Sequence, residues 1–442
     1  MIARIRKSQL FLVPVLATFL TFSCTVDDDG PKVHPAKVKE TIFDAMHEWY
    51  YWDHELPATV DARLLSNEEL LEVLRYKTLD RWSYLTTREQ FNRAFTGLNI
   101  GHGLGFSLSQ EGRVYVSFVY SGSPAGEAGV ERGWEIVEIN GRPVDSYRKG
   151  NGYDFNLGPE QVGVSNTFGF ALPDGSRTAR TIQKTDYQSN SVLYRDVIKT
   201  DGSTIGYWVY NGFKAALGVE PTKSLEVEES MAYFGENNID ELIVDLRYNG
   251  GGSVDVAEQI MNYLIPSGYS GSLMYTNALN SQKSDLNESK YFEKRGNIEI
   301  DRIIFITSRG SASASELLIN CLAPYLDVVL IGDNTYGKPV GAFPLSGFYK
   351  VLETANVELV PITFAIANAN GKAEYFSGLP VDFPVGDDPG RNWGDLEEKR
   401  LKAALEYVRT GTVGADSRIF YTAPSWSMID NFQGLRKEFP VY

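Results

Sequence analysis

The spacing of apolar residues changes twice along the chain, and each change predicts a different kind of structure. In VKETIFDAMHEWYYWD and SNEELLEVLRY the apolar residues recur every three or four positions, which predicts an N-terminal helical segment over residues 33–98. Residues 99–187 show short alternating runs broken by glycines, which predicts a small β-rich module. From 188 to 415 strand-like and helix-like segments alternate, as in a mixed α/β core with a C-terminal helix, and a tail follows over 416–442. The sequence therefore predicts an α/β multidomain protein.

Three apolar runs in the last domain predict buried strands. ELIVD precedes the glycines of RYNGGG and a helix predicted over 254–264, DRIIFIT ends just before the serines of SASAS, and LDVVLIG runs into the loop that carries Lys338. The helix after the serines is predicted over 316–322, where Pro324 ends it. Parallel strands joined by right-handed crossovers end at the same edge of a sheet. We therefore expect RYNGGG, SASAS and Lys338 to meet at that edge.

The first residues have the pattern of an export signal. Positive charges at Arg4, Arg6 and Lys7 precede an apolar stretch from Leu10 to Leu20. A stretch of this length is too short to span a bilayer but suits a secretory signal, so residues 1–23 are predicted to be a signal peptide that is removed.

Cys24 follows a small residue at the predicted cleavage point, as in a bacterial lipobox, although Thr21 stands where an aliphatic residue is commoner. Cys24 is therefore predicted to carry a lipid, with a plain exported protein as the alternative. The acidic residues of 24–32 resemble the tether of surface-exposed lipoproteins of Bacteroidetes. We expect the protein in the bacterial cell envelope, anchored by lipid to the outer membrane on its periplasmic or surface face.

The composition excludes one class of partner. The 442 residues carry a net charge of -15, and removal of three positive charges with the signal would leave -15 minus 3, or -18. Nucleic acid is not expected as a partner, because phosphate binding needs a basic face. Cys321, the only other cysteine, lies in a predicted apolar helix, so no disulfide is expected.

The histidines limit the possible catalytic bases. His34, His47, His54 and His102 all lie in the first quarter of the chain, and no HExxH pattern occurs, so no metal site is predicted. A serine nucleophile in the α/β core needs another base. A lysine can serve, because burial in apolar surroundings favours the neutral amine. Lys338, between Gly337 and Pro339, is the candidate, with a surface lysine as the alternative.

The stretch TSRGSASASELL offers three serines, Ser311, Ser313 and Ser315, on alternate positions before an apolar helix. The simplest interpretation is a capping box, in which Ser313 and Glu316 satisfy free amides of the first turn. That interpretation explains one serine but not the small residues around it. These residues indicate that another group approaches the backbone closely.

The β-rich module carries a second signature. GLGF, formed by Gly103, Leu104, Gly105 and Phe106, together with SGSPAGEAGVERGWEIVEING, resembles a PDZ domain. The resemblance implies that the backbone amides of GLGF receive the terminal carboxylate of a peptide, which adds beside them as an extra strand. The alternative is a module that serves only for packing.

The order of these motifs resembles the C-terminal processing peptidases, also called tail-specific proteases: YKTLDRWSYLTTREQF, the PDZ, DLRYNGGG, GSASASELL and TYGKPVG. The resemblance implies a crotonase-like core, with Ser313 as nucleophile and Lys338, 25 residues later, as general base. Ser311 and Ser315 are then structural. The amides of Ala314 and of a glycine, Gly251 or Gly252, would form the oxyanion hole. The implied partners are polypeptides bound by their C-terminus, without a cofactor, and the oligomeric state stays open.

Two positions depart from the family pattern. Ala342 stands where the family usually has a glutamine thought to orient the lysine, and Pro339 replaces the usual glycine. The leading hypothesis is a membrane-tethered serine endopeptidase. The alternatives are a catalytically inactive peptide-binding lipoprotein of the same fold and an esterase, for which the PDZ would have no purpose.

Overall fold

The computed structural model describes residues 33–414, except 110, 151, 201 and 216–222, together with the backbone of 427–428. The predicted signal peptide 1–23, Cys24, the tether 24–32 and all but two residues of the tail 416–442 therefore lie outside the described residues. In the described part of the chain, no helix is both long and apolar enough to cross a membrane.

The N-terminal region has three helices whose ends follow from local sequence. Asn67–Leu74 begins at a Ser66/Glu69 capping box, and Arg88–Thr96 begins at a Thr87/Gln90 capping box and ends at Gly97, which has φ +80°. The helical prediction is confirmed for these segments but not for residues 84–86, which form a strand because they pair with a distant segment. The elements are α1 Pro35–Trp49, α2 Asn67–Leu74, β1 Tyr84–Thr86 and α3 Arg88–Thr96.

The β-rich module follows directly. Its apolar side chains form a core of their own that includes Leu104, Val116, Ile136 and Phe168. The elements are β2 Leu98–Gly101, β3 Leu104–Leu108, β4 Val114–Val119, α4 Pro124–Glu127, β5 Glu135–Ile139, β6 Arg142–Pro143, β7 Arg148–Lys149, β8 Gly152–Tyr153, β9 Ser165–Ala171, β10 Arg177–Gln183 and β11 Thr185–Gln188.

The remaining segments build the α/β core, as the alternating pattern predicts. They are β12 Val192–Thr200, β13 Ser203–Tyr210, α5 Leu225–Glu236, β14 Glu241–Asp245, α6 Val254–Leu264, β15 Leu273–Leu279, β16 Ser289–Tyr291, β17 Arg302–Thr307, α7 Ala314–Leu322, β18 Asp327–Gly332, β19 Val340–Ala342, α8 Lys350–Thr354, β20 Glu358–Val360, β21 Ile362–Asn368, β22 Phe383–Pro384 and α9 Lys399–Thr410. A short strand of the tail, β23 Ser427–Met428, pairs instead with β8 of the β-rich module.

The main sheet of this core has the order β12-β13-β14-β17-β18-β22. The three strands predicted from sequence, β14, β17 and β18, are adjacent and parallel, which confirms the crossover prediction. Their loops therefore leave the same edge of the sheet. The same rule brings RYNGGG, SASAS and the loop of Lys338 together.

Both faces of the sheet are covered, which explains why its strands read as continuous apolar runs. On β14, Leu242 and Val244 face a core shared with α5, α6 and α7. Ile243 faces the opposite core, where Leu401 and Ala404 of α9 pack. A smaller sheet, β16-β15-β21-β19, carries the strand that follows Lys338.

One buried arginine joins the β-rich module to the core. Arg132 donates to Ser117 O at 2.6 Å inside the module and to Arg391 O at 2.9 Å in the core. Its guanidinium stacks 3.9 Å from the ring of Trp393 and donates to the hydroxyl of Tyr248 at 3.1 Å. Tyr248 belongs to RYNGGG, so the module contacts the loop that carries the candidate oxyanion glycines.

Candidate active site

Ser313 lies on a sharp turn between β17 and α7. It is the residue that precedes α7, and its φ of +56° falls in a region that residues other than glycine rarely adopt. A strained strand-to-helix turn of this kind presents a serine hydroxyl at the edge of a sheet in other folds that use serine nucleophiles. The first-turn amides of α7 and the positive end of its dipole lie beside the same residue.

The neighbouring serines have different surroundings. Ser311 Oγ donates to Leu246 O at 2.8 Å, and Ser315 Oγ donates to Asn249 O at 3.0 Å. Both are fully buried and both bind carbonyl groups of the DLRYNGGG loop. Their hydroxyls therefore fix the glycine loop to the start of α7, as structural serines do.

The glycines of RYNGGG are the groups that approach the serine turn closely. Gly251 has φ +113°, and a Cβ atom there would lie 2.8 Å from the Cβ of Ser313 and 2.9 Å from Ala312 O. No side chain fits in that space. The small residues of SASAS are therefore explained by a backbone segment that packs directly on them.

The same loop limits the choice of oxyanion donor. The amide of Gly251 donates to Asn249 Oδ1 at 2.9 Å, so this hydrogen is already engaged. Gly252 has φ +133° and is bridged to Phe213, which fixes the direction of its peptide plane. Of the three predicted donors, Ala314 and Gly252 fit the oxyanion role better, and that role stays a prediction.

Lys338 lies in the loop after β18 and is only 6% exposed, so it is not the surface lysine of the alternative interpretation. Its loop is fixed on both sides. Tyr336 N donates to Ser311 O at 2.9 Å, and a Cβ on Gly337 would come within 2.3 Å of Phe376 O. The lysine loop therefore packs tightly on the serine loop.

Glu316 binds the backbone of both predicted catalytic residues. One of its carboxylate oxygens, Oε2, accepts from Ser313 N at 2.9 Å and from Lys338 N at 2.8 Å. The two nitrogens therefore lie at most 5.7 Å apart, the sum of those two distances. The sequence pattern predicts only a helix-capping role for Glu316, and no sequence signal indicated its contact with the lysine loop.

The other oxygen of Glu316 completes the network. Oε1 accepts from Thr335 Oγ1 at 2.6 Å and from Gly337 N at 2.7 Å. Burial raises the pKa of the Glu316 carboxyl, and the hydrogen bonds from Thr335 and from the three backbone amides offset this rise only in part. Each bond to a charged acceptor contributes roughly 1.5–3 kcal/mol net, so the carboxylate strongly favours this arrangement of the two loops.

The N-terminal region supports the lysine loop from outside. Arg81, within the YKTLDRWSYLTTREQF motif, directs its guanidinium at Tyr336 O at 3.4 Å and Gly337 O at 3.5 Å. It also stacks 4.8 Å from the ring of Tyr336. In the sequence, this motif indicates only the family resemblance. The charged residue before the tryptophan was the one signal that could have indicated this contact.

A buried ionic cluster holds the start of the glycine loop. Arg247 pairs with Asp245 at 2.6 Å, with Glu398 at 2.7 Å and with Asp387 at 2.7 Å, and its side chain is 1% exposed. Burial alone would raise the pKa of Asp387, but the charges of Arg247, Arg400 and Arg132, together with the hydrogen bond from Tyr248, hold that pKa well below its usual range. RYNGGG is thus fixed to α9 and its preceding loop, a contact that the sequence pattern did not indicate.

Ala342 is the last residue of β19 and lies in apolar surroundings, and Pro339 immediately precedes that strand. Ala342 packs against the cluster formed by Tyr84, Phe91 and Val360, at the point where the N-terminal region meets the core. The position that holds a glutamine in the family pattern is therefore used here for packing between domains.

A second buried lysine lies outside this site. Lys214 follows Phe213, which is bonded to Gly251 O, and it donates to Asn190 O at 3.2 Å with its amine 4.5 Å from the ring of Tyr120. Burial lowers its pKa to about 7. Its partners belong to the β-rich module and its connection, so Lys214 stabilises that junction.

The GLGF segment forms a turn and then the edge strand β3. The left-handed φ of +80° falls on Gly103, where a Cβ would lie 2.0 Å from the Cβ of Ser123. Gly105 lies within β3, and a Cβ there would come 2.2 Å from the ring of Phe118. Both glycines are thus required by packing, and Leu104 and Phe106 fill the core of the module.

The histidines take no part in this site. His102 is buried in the β-rich module, where burial lowers its pKa to about 3, and His54 is largely exposed. Within the described residues, no group of three or more His, Cys, Asp or Glu side chains is placed to hold a metal ion.

Three domain models match the chain in the order of its structural regions. The peptidase S41 N-terminal domain matches residues 37–84, a PDZ domain matches 96–157 and peptidase family S41 matches 204–346. The PDZ resemblance and the resemblance to C-terminal processing peptidases are thereby confirmed at the level of domains.

Two curated relatives are 24% identical to this chain. One is the chloroplastic carboxyl-terminal-processing peptidase 3 of Arabidopsis thaliana, over 318 residues, and the other is a candidate CtpA-like serine protease of Staphylococcus aureus, over 274 residues. The alignments cover 68% and 59% of this chain but only 59% and 49% of those relatives.

The crystal structure of a candidate S41 protease from Bacteroides fragilis has the same fold. It matches with a TM-score of 0.68 at 22% identity, over 84% of this chain and 97% of that one. The predicted fold class is therefore confirmed.

Proposed function

We propose that this chain, which carries a peptidase family S41 domain behind an S41 N-terminal domain and a PDZ domain, is a serine endopeptidase that uses Ser313 and Lys338. The observation that carries the proposal is the Glu316 carboxylate, which binds the backbones of both residues within one buried network. Lys338 is buried, and its backbone nitrogen lies within 5.7 Å of that of Ser313, whose φ of +56° marks a strained turn; these observations support the proposal. A fluorophosphonate probe tests the proposal, because it labels only an activated serine.

The proposed reaction uses these groups in the following order. The Lys338 amine takes the proton of Ser313 Oγ as that oxygen attacks the peptide carbonyl. The amides of Ala314 and Gly252 then donate to the oxyanion, and the protonated lysine gives its proton to the leaving amine. Water hydrolyses the acyl-enzyme with Lys338 again as base. Loss of one oxyanion donor typically costs about 100- to 1000-fold in rate.

A specific observation keeps the non-catalytic peptide-binding protein as the second candidate. Ala342 packs in an apolar cluster where the family pattern has a glutamine that orients the lysine. A chain in which the lysine is poorly oriented would bind polypeptides without forming an acyl-enzyme. An absence of probe labelling in a folded sample would favour this candidate.

The substrates are proposed to be polypeptides that the PDZ selects by their free C-terminus. Gly103 supplies the left-handed turn before β3, and β3 is the last strand in the order β10-β9-β5-β4-β3. A peptide can therefore add to β3 as an extra strand, with its carboxylate at the amides of the turn.

We expect a peptide with a free, apolar C-terminal residue to bind the full chain, made inactive by Ser313→Ala, at least about tenfold more tightly than its amidated form. Hydrogen bonds to a charged group contribute roughly 1.5–3 kcal/mol net, and amidation removes that charge. Calorimetry with the two peptides measures the difference.

The matched variants are Gly103→Ala and Gly141→Ala, because both glycines have φ near +80°, at +80° and +75°. A Cβ at Gly103 would meet Ser123, whereas a Cβ at Gly141 would meet nothing within 4 Å. Gly103→Ala should abolish the preference for the acid and Gly141→Ala should keep it. Equal affinity for acid and amide in the parent chain would make the PDZ a packing module.

The lipid anchor is proposed from sequence alone, because Cys24 lies outside the described residues. We expect Cys24→Ser to release the protein from the membrane fraction, since the apolar stretch from Leu10 to Leu20 is too short to hold it in a bilayer. Immunoblots of membrane and soluble fractions measure the shift, with Ser23→Ala as the control that keeps a small residue before the cysteine. Continued membrane association of the Cys24→Ser protein without lipid would contradict the lipobox.

Protease shaving of intact cells separates a surface location from a periplasmic one.

A further inference from the structure

The edge of β3 is flanked by a second element of the PDZ. The hairpin β7-β8 is held against β3 by a chain of aromatic contacts: the ring of Tyr153 packs 5.7 Å from Phe155, and Phe155 packs 5.3 Å from Phe106 of β3. Tyr153 is fully buried, and its hydroxyl donates to Gly112 O at 3.1 Å, next to the β3-β4 turn. The β7-β8 hairpin is therefore held in a fixed position beside β3, the strand to which a peptide would add.

The C-terminal strand β23 pairs with this hairpin. β23 runs parallel to β8, with Ser427 opposite Gly152 and Met428 opposite Tyr153. Cα atoms of β23 also lie within 8 Å of Cα atoms of β3. β23 thus pairs with the hairpin as an added strand does, and it also lies close to the peptide-binding edge.

We infer that β23, Ser427–Met428, is an intramolecular ligand of the PDZ, which occupies the peptide-binding edge until a polypeptide substrate displaces it. The inference rests on the proposed peptide-binding role of the PDZ. Because the segment belongs to the same chain, its effective concentration does not depend on the concentration of the protein. Each substrate must therefore compete with it, and weakly binding polypeptides are rejected.

Competition between β23 and a peptide should lower the apparent affinity for that peptide by a measurable factor. When only a fraction of molecules has a free edge, the apparent affinity for a peptide is reduced by that fraction. If the edge is free in about one molecule in ten to one in three, release of the segment tightens peptide binding roughly three- to tenfold.

The test uses the full chain with Ser313→Ala, so that bound peptide is not cleaved. The variant Ser427→Pro with Met428→Pro removes both backbone donors of the pairing segment, because proline has no N–H. Ser417→Pro is the matched control in the same tail, ten residues before the pair. A chain ended after Gly414 serves as a second way to remove the segment, and it retains α9 and the buried Val413.

Two measurements test separately whether β23 covers the β3 edge and whether the PDZ binds peptides. Hydrogen–deuterium exchange at residues 104–108 and 152–153 reports whether the segment covers the edge and needs no peptide. Fluorescence anisotropy with a fluorescein-labelled decapeptide that ends in Val-Ala and a free carboxylate reports competition. We expect faster exchange and three- to tenfold tighter binding in the double-proline and shortened chains, and no change in Ser417→Pro.

Unchanged exchange in the double-proline and shortened chains would overturn the inference. Faster exchange with equal peptide affinity in all chains would overturn the competition. Faster exchange without peptide binding in any chain would leave the intramolecular pairing in place but remove the peptide-binding role of the PDZ.

Discussion

Ser313→Ala is expected to lower peptide hydrolysis by about 10⁴- to 10⁶-fold, the loss typical of removing a nucleophile that acts as part of a unit. Alanine keeps the Cβ atom that already fits beside Gly251, so the turn at φ +56° gains no new strain. The amide of residue 313 still donates to Glu316. The variant should therefore fold and melt like the parent, and should lose labelling by a fluorophosphonate probe.

Ser315→Ala and Ser311→Ala are the matched controls. Each removes a buried hydroxyl that binds a carbonyl of the glycine loop, at Asn249 O or Leu246 O. Loss of such a bond costs about 1 kcal/mol and leaves the nucleophile in place. These variants should keep probe labelling at a lower melting temperature. Full hydrolytic activity in Ser313→Ala would redirect the nucleophile to one of these two serines.

Lys338→Ala is expected to lower hydrolysis about as much as Ser313→Ala, because residues of one catalytic unit are not additive. The substitution removes the amine but leaves the backbone of the lysine loop in place, since Lys338 N, Gly337 N and Thr335 Oγ1 are held by Glu316. Rates should be measured for both single variants and for the double variant. The double variant should be no slower than either single one.

Glu316→Ala distinguishes the role of Glu316 in positioning the serine and lysine loops from the proposed catalytic role of Lys338. It removes four hydrogen bonds in a fully buried network, and each buried donor left unpaired costs about 1–3 kcal/mol. We expect a large fall in melting temperature together with loss of activity, whereas Lys338→Ala should lose activity alone. A Lys338→Ala protein that keeps nearly full activity would exclude the lysine as base and leave the mechanism without an identified proton acceptor.

Much of the fold could be predicted because its strands carry local signals. ELIVD, RIIFIT and DVVLIG are apolar on both faces, and the helix predicted over 254–264 has these bounds in the structure. The helix after the serines starts at Ala314, two residues before the predicted start, because Ser313 itself forms the turn. Residues 84–86 were wrongly included in a helical region, since only pairing with residues 358–360 makes them a strand.

The candidate site was predictable in part for the same reason. The motif spacing and the family resemblance led to Ser313 and Lys338, and the rule for parallel strands brought their loops to one edge. No sequence pattern indicates that Glu316 binds Thr335, that Arg247 binds Glu398 151 positions later, or that Arg81 reaches Gly337. Hydrogen bonds between distant segments have no periodic signature along the chain.

Local sequence patterns are sufficient to define the order of the domains, the strands and helices of the core, and the residue types available for chemistry. These features follow from local periodicity and from motifs of fixed spacing, which a chain carries whether or not it is folded. The tertiary structure alone decided which oxygen holds Ser313 and Lys338 together, that the Gly251 amide is already engaged, and that β23 lies beside the PDZ edge. The physical reason is that burial and hydrogen-bond geometry depend on segments brought together by packing of the whole chain.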